Sequence, residues 1–166
     1  MALKDSLLPE YDHEMGTTRR LLERVPEADF AWKPHEKSFA LGHLAGHISN
    51  IPHWVDIMLD GSSFDVAAAG GDARPTPPAS VADLLATFDA NVKRARAKLD
   101  EQPDPALFAP WSLLSNGQVV FTMPKIAVLR SFVMNHLIHH RGQLSVYLRL
   151  RNVPLPSIYG PTADEG

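Results

Sequence analysis

The chain contains no cysteine, which excludes disulfide bridges and thiolate metal ligands together. Any metal must be held by nitrogen and oxygen, and thiol chemistry would need a thiol supplied from outside. Long apolar runs are missing too. No stretch approaches the ~20 apolar residues of a membrane span, and the opening Met1-Ala-Leu-Lys-Asp-Ser6 has no signal-like apolar core. The expectation is a cytoplasmic protein with no membrane partner. Nor is there an excess of one charge: 16 Lys and Arg against 19 Asp and Glu leave a formal net charge of −3, which gives no electrostatic reason to expect nucleic acid. With 45% hydrophobic and 21% charged residues the balance is that of a folded protein. The 166 residues are expected to form a single domain, 1–166.

What the chain does have is helical periodicity and eight histidines. Leu8, Tyr11, Met15, Thr18, Leu22 and Val25 recur at steps of three and four, predicting a first helix that starts near Ser6 or Pro9 and ends before Pro26. Glu14, Arg19, Arg20 and Glu23 fall on its other faces. Pro26 to Lys37 reads as a connector packed by Phe30 and Trp32. Ser38 is the expected N-cap of a second helix with the stripe Leu41, Leu44, Ile48, Ile51, Val55 and Met58, kinked at Pro52 because Ile48 loses its carbonyl partner. Asp60 to Ala79, with Gly70-Gly71 and Pro77-Pro78, reads as a long crossover connection. Ser80-Val-Ala-Asp83 caps a third helix carrying Val81, Leu84, Phe88, Val92, Ala95 and Leu99, whose Lys93, Arg94, Arg96 and Lys98 are assigned to a solvated face.

Pro103 to Met123 lacks a helical pattern, and Asn116-Gly117 between apolar runs predicts a short hairpin-like flap. The last helix runs from Pro124 towards Val153 on the line Ile126, Leu129, Val133, His136, His140, Leu144 and Tyr147. Beyond Pro154 the tail is expected to dock by Ile158 and Tyr159 and end in disorder. The predicted class is all-α, a four-helix bundle with a long crossover connection and the flap before the last helix.

His136 and His140 stand where that line would ordinarily carry Leu or Ile. Imidazoles at i and i+4 sit one above the other on one helix face and can reach one ion. The plainer reading is a pair of core histidines satisfied by hydrogen bonds. A third ligand must come from another helix: His47 is the natural choice, with His43 one turn away as its competitor. His139 is offset from the line and is expected beside the site or exposed. The segment His43-Leu-Ala-Gly-His47 lacks the Glu of a metalloprotease motif, and the chain does not carry the paired Glu-x-x-His motifs of a di-iron centre.

The segments Ser38 to His47 and His136-Leu-Ile-His-His-Arg-Gly-Gln-Leu-Ser-Val-Tyr-Leu-Arg149 resemble the DinB family, as do Trp111 to Pro124 and the tail Pro156 to Pro161. The resemblance implies a four-helix bundle in an up-down-down-up arrangement, a homodimer, and a divalent metal, nickel or zinc, held by His47, His136 and His140. His43 and His139 then become candidate supporting residues. Three neutral ligands leave coordination positions open, the pattern of a catalytic site. Relatives in the wider superfamily use low-molecular-weight thiols such as mycothiol, bacillithiol or glutathione. The expected function is therefore a metal-dependent enzyme, a transferase activating such a thiol toward a small-molecule substrate. The alternatives are a metal-hydroxide hydrolase and a non-catalytic metal-binding stress-response protein. His139, His43 and Tyr11 are the candidate general bases. Arg130 and Arg141 are anion-binding candidates, with surface charge the plainer reading.

Overall fold

The computed structural model describes residues 2–68 and 77–165. Met1, Gly166 and residues 69–76, which include Gly70-Gly71 of the expected crossover, lie outside the described residues. The fold is mostly helical, as expected, with one small sheet that adds a third strand to the expected flap. In chain order the elements are α1 (Lys4–Leu22), α2 (Leu41–Asn50), α3 (Trp54–Asp60), β1 (Ser63–Asp65), α4 (Val81–Asp100), α5 (Asp104–Phe108), β2 (Pro110–Ser115), β3 (Gln118–Pro124), α6 (Lys125–Val128) and α7 (Asn135–Leu150). A 3-10 turn, Ile51–His53, joins α2 to α3, and a π-helical turn, Leu129–Met134, joins α6 to α7.

The predicted stripes of the first two helices are buried throughout, from Leu8 to Val25 and from Leu41 to Met58. In α4, Leu84, Phe88, Ala95 and Leu99 are buried while Val81 and Val92 are partly covered. α1 and α2 each pack against both α4 and α7, and the core lies between them. The kink forms as expected. Pro52 supplies no amide, and the chain tightens into the 3-10 turn one turn after His47.

Ser38 is not the cap of α2. The helix begins at Leu41, and its first two amides donate to connector carbonyls, Leu41 N–H to Trp32 at 2.8 Å and Gly42 N–H to Phe30 at 2.9 Å. This brings Phe30 so close that a Cβ on Gly42 would lie 3.0 Å from the Phe30 Cβ and Cγ and 3.2 Å from its carbonyl oxygen. Gly42→Ala is therefore expected to destabilise the protein by about 1 kcal/mol. The overpacking, about 1–3 kcal/mol, outweighs the helix-propensity gain of at most ~1 kcal/mol. Urea unfolding checks this, and a variant more stable than wild type would refute it.

Ser80 caps α4 as predicted, its hydroxyl accepting from Asp83 N–H at 3.0 Å. The basic residues of α4 are not merely solvated. Arg96 pairs with Asp12 of α1, while Arg94 and Lys98 reach Asp56 and Asp60 of α3.

The flap is an antiparallel pair, β2 with β3, closed by Asn116 and Gly117 at φ 51° and 74°. Both angles are positive, as a type I′ turn requires. Two elements here depart from expectation. α5 is a short helix within the segment read as non-helical. β1, within the expected connection, pairs parallel with β2 to make a three-stranded sheet in the order β1-β2-β3. Asp65 ends β1 under the flap's turn, its carboxylate accepting from Asn116 N–H at 3.1 Å and Gly117 N–H at 2.7 Å. Backbone amides, that of Gly117 first and then those of Ala68, Ala67 and Asn116, hold its pKa below the usual carboxylate range against the opposing effect of burial.

The last helix also departs from the predicted line. Its most deeply buried residues after the π turn are Leu137, Arg141, Leu144 and Leu148, whereas Ile126, His136 and Tyr147 are only half-buried. The histidines lie along the edge of the buried stripe. The tail is ordered, against expectation: Asp164 pairs with Arg149, and Glu165 pairs with Arg24 and accepts from Ser157 N–H.

Candidate metal centre

His47 comes from the last turns of α2, and His136 and His140 from the start of α7. Their Nε2 atoms converge: His136 Nε2 lies 2.9 Å from that of His47 and 3.1 Å from that of His140. The rings meet edge-on, with centroids 4.4–5.2 Å apart. On α7 the four-residue spacing brings the two rings together on one face. On α2 the helix must end and turn at Pro52, which places His47 close to the last full turn facing α7.

Hydrogen bonding alone does not satisfy this cluster. His140 Nδ1 lies 2.7 Å from Gln143 Oε1, which only accepts, so the Nδ1 carries the proton and Nε2 presents a lone pair. A neutral His136 has one N–H to place between two facing nitrogens. A cation answers every inward lone pair at once, and three imidazole nitrogens are a donor set suited to zinc or nickel. The residues present therefore fit a divalent metal.

The rings are also in the protonation state a metal needs. Burial, then the neighbouring imidazoles, pushes the pKa values of His47 and His136 down to about 4. Burial lowers that of His140 as well, opposed by the Gln143 hydrogen bond. In the unfolded chain the same rings protonate at their ordinary 6.5. Between those values the unfolded state binds more protons, so stability rises with pH. The metal-free protein is expected to lose stability as pH falls from about 6.5 to about 4. Urea midpoints across that range check this, with a His47→Gln/His136→Gln double variant as reference. Parallel curves for the two proteins would contradict the assignment.

The other sequence candidates are sorted by the fold. His43 is half-buried against Phe39, with ring centroids 6.2 Å apart, and stands outside the cluster. His139 is exposed, its ring 4.9 Å from that of His140. Tyr11 is corrected as a general base. It is 0% exposed, directed toward the Val92 carbonyl of α4, and burial raises its pKa. Arg130 pairs with Glu10 at the surface. Arg141 is corrected most: it is 1% exposed and bonded to the Glu14 carboxylate at 2.7 Å, to Thr18, and to the Tyr159 hydroxyl.

Beside the cluster opens a cavity of about 650 Å³. His47 and His136 form part of its wall, and Trp54, Ile57, Phe64, Trp111, Phe121 and Phe132 supply much of the rest. The Trp54 ring lies 5.7 Å from that of His47 and 5.2 Å from that of His136. Phe132, within the π turn, stacks on Phe121 of β3 at 4.9 Å. Sequence reasoning missed Gln143, Trp54 and Trp111. Only Gln143 left a signal, one turn after His140.

Among the described residues, no helix is long and apolar enough to cross a membrane. Comparison with known proteins bears on the fold. The uncharacterized protein YrdA of Bacillus subtilis strain 168 is 26% identical over 165 residues, spanning 97% of this chain and 90% of its own. The crystal structure of the DinB-like protein YjoA from Bacillus subtilis matches with a TM-score of 0.70 at 19% identity, covering 93% of this chain and 99% of that one. A DinB-like protein from Bacillus cereus ATCC 10987 matches with a TM-score of 0.70 at 22% identity, covering 93% and 97%. The model of the DinB family itself matches residues 2–166. A match of that extent settles the kinship: the chain belongs to the DinB family.

Proposed function

We propose that His47, His136 and His140 hold a divalent metal ion, nickel or zinc, in a metal-dependent enzyme that activates a low-molecular-weight thiol for attack on a small electrophile. The observation that carries this reading is the meeting of three Nε2 atoms at the wall of an apolar cavity. Three ligands are one fewer than a closed structural zinc site uses, leaving room for an exogenous group. A metal bound there supplies positive charge that lowers the pKa of a coordinated thiol.

The chain's own residues do the rest. Gln143 holds His140 in the tautomer that turns Nε2 inward. Trp54 packs on the His47 and His136 rings and limits their rotation. The aromatic wall gathers an apolar electrophile and keeps water from it. In the transfer, the thiol's proton leaves to solvent or to exposed His139. Sulfur forms the new C–S bond, and the leaving group departs with the electron pair of the bond it breaks.

The same reading places the protein in the cytoplasm, as a homodimer built on an up-down-down-up four-helix bundle comprising 1–166 as one domain. The test combines nickel- or zinc-reloaded protein, glutathione, bacillithiol or mycothiol in turn, and 1-chloro-2,4-dinitrobenzene. Metal-dependent conjugate with chloride release is the expected result. Hydrolysed product without conjugate would replace the transferase with a hydrolase. Neither product, with metal bound, would leave a non-catalytic metal-binding stress-response protein.

A further inference from the structure

The cavity beside the histidines is apolar on most of its wall and polar along one line. Among the described residues its lining holds no carboxylate, ammonium or guanidinium group, and its polar side chains, indoles aside, are His47, Asn50, His53 and His136. Three of these follow one another at steps of three. His47 and Asn50 lie a turn apart on α2. The 3-10 turn after them has three residues per turn, which sets His53 in line with Asn50. The kink at Pro52 therefore carries the polar line on from the histidine cluster. His47 and Asn50 are half-buried and His53 is exposed, so the line ends at the cavity mouth.

The outer two residues both present acceptors. Asn50 Nδ2 donates to the Gly46 carbonyl at 3.1 Å, which fixes the amide's orientation and leaves Oδ1 free. Among the described residues the buried side-chain polar atoms without a partner are Asp56 Oδ1 and Trp111 Nε1, so the free Asn50 oxygen is open to a ligand. His53 Nδ1 lies 2.9 Å from Asp56 Oδ2. Asp56 is paired with Arg94 and Lys98, and its carboxylate only accepts. Arg94 Nη2, 3.2 Å from His53 Nδ1, donates to Asn91 Oδ1 at 2.7 Å. In the neutral ring Nδ1 thus carries the proton for Asp56, and Nε2 presents a lone pair. The His53 side chain is 47% exposed, and Nε2 has no hydrogen-bond partner among the described residues.

We propose that the cavity binds a largely apolar molecule bearing a hydroxyl of the phenol kind, and that its O–H donates to His53 Nε2 at the mouth. The ring of such a molecule lies against the stacked Phe121 and Phe132, and a volume near 650 Å³ accommodates it. Asn50 Oδ1, one turn away, disfavours a carbonyl or carboxylate oxygen in the hydroxyl's place, because two acceptors would then face each other. His53 is a specificity-determining residue on this account, oriented by Asp56. The proposal rests on the transferase reading only in placing an electrophilic carbon at the molecule's inner end; binding itself needs no metal.

Three probes test it: 2-naphthol, which offers an O–H, 2-methoxynaphthalene, which keeps the oxygen without the proton, and anionic 2-naphthoate. Each is titrated into metal-free protein in mildly alkaline buffer, where imidazoles are neutral and the naphthol keeps its proton. Saturable binding of one naphthol per chain is expected, tighter than that of either comparison. His53→Phe keeps a ring and removes the acceptor. It is expected to weaken naphthol binding by roughly 3–10-fold and to leave that of 2-methoxynaphthalene unchanged. Excitation makes naphthol a far stronger acid, so a bound naphthol beside an acceptor emits as naphtholate, and that band should fade in His53→Phe. Leu113→Trp fills the cavity and is expected to abolish binding, with folding of both variants followed by circular dichroism. Unchanged naphthol affinity and emission in His53→Phe, undiminished binding in Leu113→Trp, or a comparison probe bound as tightly as naphthol by wild type would each overturn the proposal. If naphthol binds as expected while no thiol conjugate forms on metal-loaded protein, the transferase reading falls and the cavity assignment stands.

Discussion

Replacing His136 with alanine is expected to abolish stoichiometric metal binding while leaving the protein folded. His136 is the middle of the cluster, its Nε2 within 2.9 Å of one partner nitrogen and 3.1 Å of the other. Its removal takes away a ligand and leaves two histidines on different helices. The loss should far exceed the roughly 10–100-fold that follows from disturbing a residue behind a ligand. The fold should survive because His136 is half-buried at the edge of the core and its hydrogen-bond contacts are to the other two histidines. Removing it also relieves the protein of a ring that resists protonation, so the metal-free variant should tolerate mild acid better than metal-free wild type. The measurement is metal content after reloading tag-free protein with nickel or zinc and dialysing, with circular dichroism beside it. Wild type should retain close to one ion per chain. A folded variant that retains as much would remove His136 from the ligand set, and a wild type that retains none would end the enzymatic reading.

The second large effect is on stability. Arg141→Ala is expected to destabilise the protein by about 3–5 kcal/mol, the usual result of breaking one side of a buried ion pair. For a chain of this length that is a fall in melting temperature of roughly 6–20 °C. The Glu14 carboxylate is 6% exposed, and with Arg141 removed it would keep only the Tyr159 hydroxyl, 2.9 Å from each oxygen. Tyr159→Phe should be milder, since the charge pair itself remains. The double variant Glu14→Leu/Arg141→Met should regain much of the loss, because it removes both charges together. Thermal unfolding of the metal-free proteins decides the matter. A single variant melting within a degree of wild type would mean that water reaches Glu14 readily and that the pair is not closed.

Much of the histidine cluster was legible because its information is local. Two imidazoles four apart on a helix need only the helix to be brought together, and Asn116-Gly117 dictates its turn by backbone angles alone. The third nitrogen needed a neighbouring helix, and His47 was preferred to His43 for its place in the middle of the second helix, a choice with which the family resemblance agrees. The fold brings His47 into the cluster and leaves His43 against Phe39. What stayed hidden depends on partners distant in sequence. β1 is three residues long, without alternation, and exists through pairing with β2 and the capping of Asn116 and Gly117 by Asp65. Arg141 looked like a surface charge because its partners, Glu14 and Tyr159, lie on α1 and in the tail. The tail looked disordered because Asp164 and Glu165 reveal their role only beside Arg149 and Arg24. The π turn has no clear signature, since an apolar line can be drawn through Leu129, Val133 and His136 whether or not a residue has been inserted.

That inserted turn divides one rod into two separately keyed parts. The turn itself is registered to the sheet, Phe132 lying on Phe121, and the helix that follows it to α2, His136 facing His47. In an uninterrupted α-helix the two halves would share one angular phase, and any change in how the rod met the sheet would swing the ligands with it. With the phase broken between them, the chamber wall and the ligand set become separable traits. A lineage can resculpt what the chamber admits through the sheet-facing half while the three nitrogens hold their places.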